Sequence, residues 1–270
     1  MMKLSKEEQI IYSHYEDMFH LADRRGIPVY SNFAGLNEIN LAYMMLEKQH
    51  IPKEIQDSRV VLYGGYKDAE RCIICFLPEI LYEKNETDSF PIACIKIEPA
   101  NKKFCGELTH RDYLGTVMGL GIEREQIGDI VIKKEGSDRN TYYVGYVFCK
   151  KSISDLILGI ERIKNTTVKT SIAAGNDLQW HQDYKEIAGS VSSFRMDAVV
   201  SVALKTSRAK CLNIIREGKV FLNGRCCTEN AKKINSDDII TVRGYGKFLI
   251  ELSESRTKKG NYYIIVKQYV

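Results

Sequence analysis

The chain has 270 residues, a hydrophobic fraction of 44% and a formal net charge of +4. That length suffices for two or three ordinary domains, and no apolar run approaches the roughly 18–20 residues of a membrane helix. The start, Met1-Met2-Lys3-Leu4-Ser5-Lys6-Glu7-Glu8, turns polar at once and lacks a signal-peptide core, so a cytoplasmic protein with no membrane partner is expected. The charge is uneven: net −5 over residues 1–90, +2 over 91–180 and +7 over 181–270. Positive charge gathered in one third is the electrostatic footprint of a nucleic-acid partner.

Residues 6–25 read as an amphipathic helix, because Ile11, Tyr15, Met18 and Ala22 recur at helical spacing; Gly26 and Pro28 end it. A second helix is predicted from Asn37, as cap, to Gln49, with Leu41, Met44 and Met45 inward. The methionines read as core filler. Strands are predicted over residues 59–63 and 71–77. Gly64-Gly65 starts their connection and has neither nucleotide-loop spacing. Eight cysteines are scattered along the chain. Cys72 and Cys75 form a C-x-x-C, but an odd separation puts them on opposite faces of a strand, and no second pair completes a zinc site. They read as buried reduced thiols, and Cys226-Cys227 as inert neighbours on a hairpin. No metal and no cofactor is expected. Residues 83–89 read as a polar linker or exposed loop.

The middle third alternates clearly. Strands are predicted at 92–98, 129–133, 142–149 and 168–173, and helices at 109–120 and 154–163. The order β-α-β-β-α-β is the ferredoxin-like arrangement, which RNA-recognition domains share. Tyr142, Tyr143, Tyr146 and Phe148 on the third strand could stack bases. The RNP1 pattern is absent, however, and core or interdomain packing is the preferred use of these rings. The stretch from Leu108 to Ile130 sets His110-Arg111 at a helix start, with Thr109 as cap, and Arg124 after a Gly-rich exit. These three are candidate phosphate contacts; a capped helix with a structural His110 stands beside that reading. The H-R-D of kinases fails here because Val117 occupies the Asn position. The pseudouridine-synthase reading fails because Asp112 follows Arg111 directly and no Thr-Ser-Gly follows.

Residues 176–193 read as a linker or short helix carrying Trp180, the one tryptophan, and His181. From Arg195 to Gly244 the signals are dense. An apolar run spans residues 198–204. Ser207 is a good N-cap for a second helix, which Gly218 ends. Arg208 and Arg216, eight apart, stay within about 80° of each other on that helix, while Cys211, Ile214 and Ile215 face a core. Asn223-Gly224 between apolar residues is a two-residue hairpin turn. Residues 247–252 and 262–269 alternate like a hairpin around the basic turn 256–260, which is solvated or touches RNA. Phosphates bind well at helix N-termini and to arginine forks. The candidate RNA contacts on the helices are Arg195, Ser207, Arg208, Lys210 and Arg216. On the strands and turns they are Lys219, Asn223, Arg225, Arg243 and Lys247.

Arg195-Met196-Asp197, Ser207-Arg208, Gly218 to Gly224 and Asp237-Asp238-Ile239-Ile240 resemble the RNA-binding domain named after small-subunit ribosomal protein S-four. That family's pattern is R-L-D, S-R, G-x-V-x-V-N-G and a late G-D-x-I. Met196, Leu222 and Asp237 depart from it mildly. The string L-T-H-R-D-Y-L-G…L-G-I-x-R-E-x-I-G-D-I, from Leu108 to Ile130, further resembles the signature of the bacterial YlmH family. The resemblance implies an α+β chain of three modules. These are an N-terminal α/β domain (1–90), a ferredoxin-like, RNA-recognition-like domain (91–175) and, after the linker 176–193, an S-four-type domain with a β extension (194–270). It also implies a non-enzymatic RNA-binding role on the ribosome, in quality control of stalled translation. The implied partners are ribosomal RNA, the large ribosomal subunit and tRNA, and a link to cell division is attached to the family. Two rivals remain: an RNA-modifying enzyme of the pseudouridine-synthase kind, and a cell-division adaptor whose acidic N-terminal domain holds a protein partner.

Overall fold

The computed structural model describes residues 4–49, 51, 53–67, 69–81, 90–102, 105–136, 141–173, 184–258 and 260–269. The polar segment 83–89, Trp180 and His181 lie outside these residues. The chain divides into two compact units, Met1–Gln179 and Trp180–Val270, and both mix helix with strand. Among the described residues no helix is long and apolar enough to cross a membrane.

The first helix, α1 (Lys6–Arg25), begins where Ser5 and Glu8 cap one another. Glu8 N donates to Ser5 Oγ (3.2 Å) and Ser5 N to Glu8 Oε2 (2.8 Å), which satisfies two otherwise orphaned donors. Tyr12, Tyr15, Met18, Phe19 and Ala22 face inward, and Gly26 at φ 66° ends the helix. Next come β1 (Val29–Ala34) and α2 (Leu36–Lys48). The cap of α2 is Gly35 rather than the expected Asn37: its N–H donates to Glu38 Oε2 at 2.9 Å. After α3 (Lys53–Arg59), strands β2 (Val60–Tyr63) and β3 (Cys72–Phe76) complete an antiparallel sheet of order β1-β3-β2. Sequence periodicity predicted neither β1 nor α3, and Arg59, expected to open a strand, closes α3 instead. That arginine is buried and anchored at several points. Its Nη2 lies 2.7 Å from Asp23 Oδ1, its Nε donates to the Leu77 carbonyl at 2.8 Å, and its guanidinium sits 4.4 Å from the Phe19 ring centroid. Cys72 and Cys75 are both buried, and burial pushes the Cys75 thiol up to about 11.

The second half of this unit is built from β4 (Ile92–Pro99), α4 (His110–Met118), β5 (Ile127–Glu135), β6 (Tyr142–Lys150), α5 (Ser154–Leu158), β7 (Arg162–Ile163) and β8 (Thr166–Ile172). The sheet order is β5-β6-β4-β8-β7, antiparallel throughout. Without β7, that is the order of the split β-α-β-β-α-β arrangement. The second helix is shorter than the sequence suggests. It stops at Leu158, and residues 162–163, expected inside it, turn back as a hairpin with β8. Ile95, Ile97, Val147 and Cys149 share one core with Tyr113 and Val117 of α4 and Ile157 of α5, so both helices cover one face. On the other face two of the rings that could have stacked bases are already packed. Phe148 is fully buried, 4.9 Å from the Tyr66 ring, and Tyr146 is buried beneath Lys133 Nζ at 5.3 Å.

The start of α4 carries a testable electrostatic feature. Lys164 Nζ lies 2.6 Å from Asp112 Oδ1, and Thr109 donates both its N–H and its Oγ1 to Asp112 Oδ2, each at 2.8 Å. The lysine first, and the Thr109 bonds next, hold the Asp112 carboxyl down at about 2. A depressed carboxyl contributes stability that is fully present above its unfolded pKa and disappears as pH falls through the folded one. The stability difference between wild type and Asp112→Asn should therefore be flat from neutral pH down to about 5, shrink below about 4 and vanish near 2. Urea titrations across that pH range measure it; a difference independent of pH would contradict the assignment.

The second unit holds β9 (Tyr184–Val191), α6 (Met196–Ala203), α7 (Arg208–Arg216), β10 (Val220–Leu222), β11 (Arg225–Cys226), β12 (Ile239–Val242), β13 (Gly246–Arg256) and β14 (Tyr262–Tyr269). Its six strands run in the order β11-β10-β12-β13-β14-β9. Met196, Val199, Val200, Cys211, Ile214 and Ile215 of the two helices meet Ile240, Val242, Phe248, Ile250, Ile264 and Val266 of the sheet in one core. The predicted linker 176–193 needs correction: residues 184–191 pair with β14 along its whole length. The inward positions of β9 are Ile187, Gly189 and Val191. Gly189 hides the period-two signal because it is inward yet small. A Cβ there would come within 2.4 Å of Val202 Cγ1, so the glycine is what lets α6 lie against the strand.

Candidate nucleic-acid interface

The helical side of the second unit is assembled from local signals in the sequence. Lys210 N donates to Ser207 Oγ at 3.4 Å, which caps α7, and Gly218 at φ 67° follows its end. Cys211, Ile214 and Ile215 are buried, leaving Arg208, Lys210 and Arg216 exposed. Arg208 reaches across to Ser192, just beyond β9, with Nη2 3.5 Å from the hydroxyl. Arg195 caps α6, and its Nε is 3.1 Å from the buried Asp197 carboxylate. The start of α6 is stitched to a second segment: Met196 N donates to Lys232 O (2.9 Å), Asp197 N to Asn230 O (3.1 Å), and Arg195 forms an isolated bridge with Lys233. This places Lys232 and Lys233, both exposed, beside Arg195. Sequence reasoning missed these two lysines. The Lys-Lys pair before the apolar Ile234 was the available signal.

The other candidates do not all join this group. β9 runs antiparallel to β14, and the registers carry that relation across to β10. Ser192 therefore lies at the sheet end where β10 finishes, whereas Lys219 lies at the end where β10 starts. There Arg243 N donates to Lys219 O at 2.9 Å. Lys219 Nζ is 2.7 Å from Glu217 Oε2, and this bond, reinforced by the Glu217 charge, raises its pKa. The Arg243 guanidinium covers the Phe221 ring at 4.9 Å, and Lys247 Nζ sits 4.6 Å from the Tyr269 centroid. Arg225 is half-buried opposite Leu222 in the short hairpin.

Asn223 turns out to be a brace. It and Gly224 take φ 48° and 83°, the left-handed pair that a two-residue hairpin turn requires. Its Nδ2 donates to Asp238 Oδ1 and its Oδ1 accepts from Ile239 N, both at 2.8 Å, while Asp238 Oδ2 accepts from Asn235 N at 2.7 Å. Both ends of the amide hold the hairpin to the 235–239 turn. Asp237 sits at φ 65°, a conformation glycine adopts without cost and aspartate tolerates. Glycine is the residue that the S-four pattern has there.

In the first unit, His110 and Arg111 are exposed on the first turn of α4. Arg124 is turned inward instead: its Nη1 donates to the carbonyls of Ile127 (2.6 Å) and Gly128 (3.2 Å), and burial lowers its pKa. Its neighbours fasten the β1-β3-β2 sheet to the middle sheet. Glu125 Oε1 accepts from Asn32 Nδ2 (2.6 Å), and Asn32 Oδ1 accepts from Lys150 Nζ (2.6 Å). A Cβ at Gly128 would meet the Phe33 ring at 2.6 Å. Asp129 accepts from Tyr66 Oη (2.8 Å), Glu70 N (2.7 Å) and Arg71 N (3.2 Å). The R-E-x-I-G-D-I string is thus a packing seam. Among the described residues, no group of three or more His, Cys, Asp or Glu is placed to hold a metal ion.

Parts of the chain are similar to known proteins. Residues 85–174 match the family model described as "putative RNA-binding domain in YlmH". A curated relative, the ribosome-associated protein quality control protein P2 of Bacillus subtilis (strain 168), is 25% identical over 203 residues, covering 75% of each chain. A solved structure, the cell division protein ylmH from Streptococcus pneumoniae, is 19% identical with a TM-score of 0.47; the match covers 64% of this chain and 95% of that one. The matched segment contains β4 to β8 with both covering helices. Residues 85–174 thus match the model of a YlmH-type RNA-binding domain, and the chain is similar over three quarters of its length to a ribosome-associated quality control protein.

Proposed function

We propose that this protein is a non-enzymatic RNA-binding factor of the cytoplasm. It acts on the large ribosomal subunit, contacting ribosomal RNA and tRNA in quality control of stalled translation. The observation that carries the reading is the cationic rim around the start of α6: Arg195, Arg208, Lys232 and Lys233, exposed on a frame of capped helices. Helix N-termini and arginine forks both favour phosphate. The YlmH-type domain and the ribosome-associated relative support RNA and the ribosome as the partners. The S-four-type module 194–270 supplies the phosphate-binding face, and the middle module supplies His110 and Arg111 as further contacts.

Phosphate contacts release counterions, so binding weakens as salt rises. Arg208→Glu should weaken binding to ribosomal RNA uniformly across sequences and flatten the dependence of log K on log salt by about one unit. Arg24→Glu, in the acidic N-terminal third, should leave both unchanged. Filter binding over a salt series, with melting curves to show that the variants stay folded, measures this. Wild-type affinity in a folded Arg208→Glu protein at every salt would refute the proposed face.

A further inference from the structure

A small cavity of about 230 Å³ opens at the end of the second unit's sheet, lined by Lys185, Lys205, Tyr245 and Gln268 over a floor of Ile187, Ala203, Leu204 and Phe248. Antiparallel pairing brings the start of β9, the end of β14 and the start of β13 to this end, and the turn after α6 closes it. None of the four rim residues was among the candidate contacts read from the sequence.

The composition of the rim is specific. Lys185 and Lys205 carry charge, and neither has an ion-pair partner among the described residues. Lys205 is held at φ 48° in the turn between α6 and α7, a conformation that costs a non-glycine residue about 1 kcal/mol or more. Tyr245 is 43% exposed on the β12–β13 turn. Gln268 Nε2 donates to the Tyr245 carbonyl at 3.4 Å, tying the amide to the Tyr245 backbone. The acidic neighbours are engaged elsewhere: Glu217 is paired with Lys219, and Glu186 lies on the opposite face of β9 from Lys185, where its charge acts on Lys267. Two uncompensated cations, one exposed ring, one amide and an apolar floor fit a single kind of ligand. The volume lies below the roughly 300–1,000 Å³ of pockets for drug-sized molecules, which suits one base rather than a cofactor. The apolar floor disfavours a bare anion.

We propose that this cavity receives one unstacked nucleobase of single-stranded RNA against Tyr245, with Lys185 and Lys205 on the phosphates that flank it. The proposal rests on the RNA-binding reading above and adds a site to it, distinct from the rim at the start of α6.

The test uses the full chain with two probes, a short labelled oligouridine and a short blunt RNA duplex. Tyr245→Ala should weaken oligouridine binding roughly five- to a hundredfold, the effect of losing one base–aromatic stack, and leave duplex binding unchanged. Tyr245→Phe should behave as wild type. Lys185→Gln with Lys205→Gln should flatten the oligouridine salt slope by roughly one unit, which keeps the test open even where Tyr245→Ala fails to fold. Oligouridine containing 4-thiouridine should crosslink at Tyr245. Equal binding by Tyr245→Ala, an equal loss for both probes, or crosslinks that avoid this cavity would overturn the proposal. Arg208→Glu separates the two readings. If it weakens binding while the cavity variants do not, the cavity falls alone; if the wild-type protein binds neither probe, the RNA reading falls and the cavity with it.

Discussion

Asp129→Ala should destabilise the first unit by about 3 kcal/mol and lower its melting midpoint by roughly 6–12 °C. The carboxylate accepts three hydrogen bonds, from the Tyr66 hydroxyl and the backbone N–H groups of Glu70 and Arg71. Alanine removes the acceptor of all three at once. Glu70 N is exposed and can turn to water. The part-buried Tyr66 hydroxyl and Arg71 N–H lose their partner, and a polar group left unsatisfied costs more than a made bond contributes. The Tyr66 ring is packed on Phe148, which restrains its hydroxyl at this point. Burial, followed by the charge of Asp129, raises its pKa, so the phenol stays a donor at every working pH. Arg71 is held at the same point, its Nε donating to Ile127 O (3.1 Å) and its Nη2 to Phe33 O (2.8 Å). Loss of Asp129 should therefore loosen the β1-β3-β2 sheet from the middle sheet before either melts. Denaturation followed by amide hydrogen exchange would show faster exchange at residues 69–76 first. Wild-type midpoint and exchange in Asp129→Ala would mean the seam is held by something else. Asp129→Asn, which keeps an acceptor oxygen, should lose less.

Gly145→Ala should cost a further kind of energy, about 2–3 kcal/mol from overpacking. A Cβ at Gly145 would lie 2.3 Å from Tyr113 Cε1, and Tyr113 is fully buried between α4 and the sheet. The ring cannot retreat, because it shares a core with Val117, Val147 and Ile97. Tyr113→Ala alone opens a cavity and should cost about 3–5 kcal/mol. Combining the two changes should cost clearly less than their sum, since the added methyl fills part of the void. Additive losses in urea denaturation would show that the two residues do not meet.

What could be read from the sequence and what could not separate along physical lines. Segments whose apolar residues face one core announced themselves. The inward stripe of α1, the four principal strands of the middle sheet, the Ser207 cap and the Asn223-Gly224 turn are each written in residues close together in the chain. β1 was missed because its polar residues are used inside the fold. Ser31 Oγ accepts from Ile74 N at 2.9 Å, and Asn32 serves Glu125 and Lys150. Those partners lie far away in sequence, so no local period records them. The same cause misdirected part of the candidate site. Asn223 carries an amide that could bind a base, yet it is engaged by Asp238 and Ile239, which only folding brings near. Arg124 is engaged locally, by the carbonyls of Ile127 and Gly128, which side-chain periodicity does not record. Lys232 and Lys233 likewise gain their position through backbone bonds to the start of α6, distant in sequence.

The pairing of β9 with β14 also sets where the C-terminal half can be cut. Sequence motifs suggest starting a fragment at Phe194, at the threshold of the helices. Such a fragment would keep β13 on one side of β14 but lack β9 on the other, where all eight residues from Tyr262 to Tyr269 are registered. Their outward N–H and C=O groups would form an open seam beside Tyr263 and Ile265, which are already 49% and 37% exposed. An uncovered edge of that length and character is a template for another chain's strand, so the strand before α6 acts as a built-in guard against self-association.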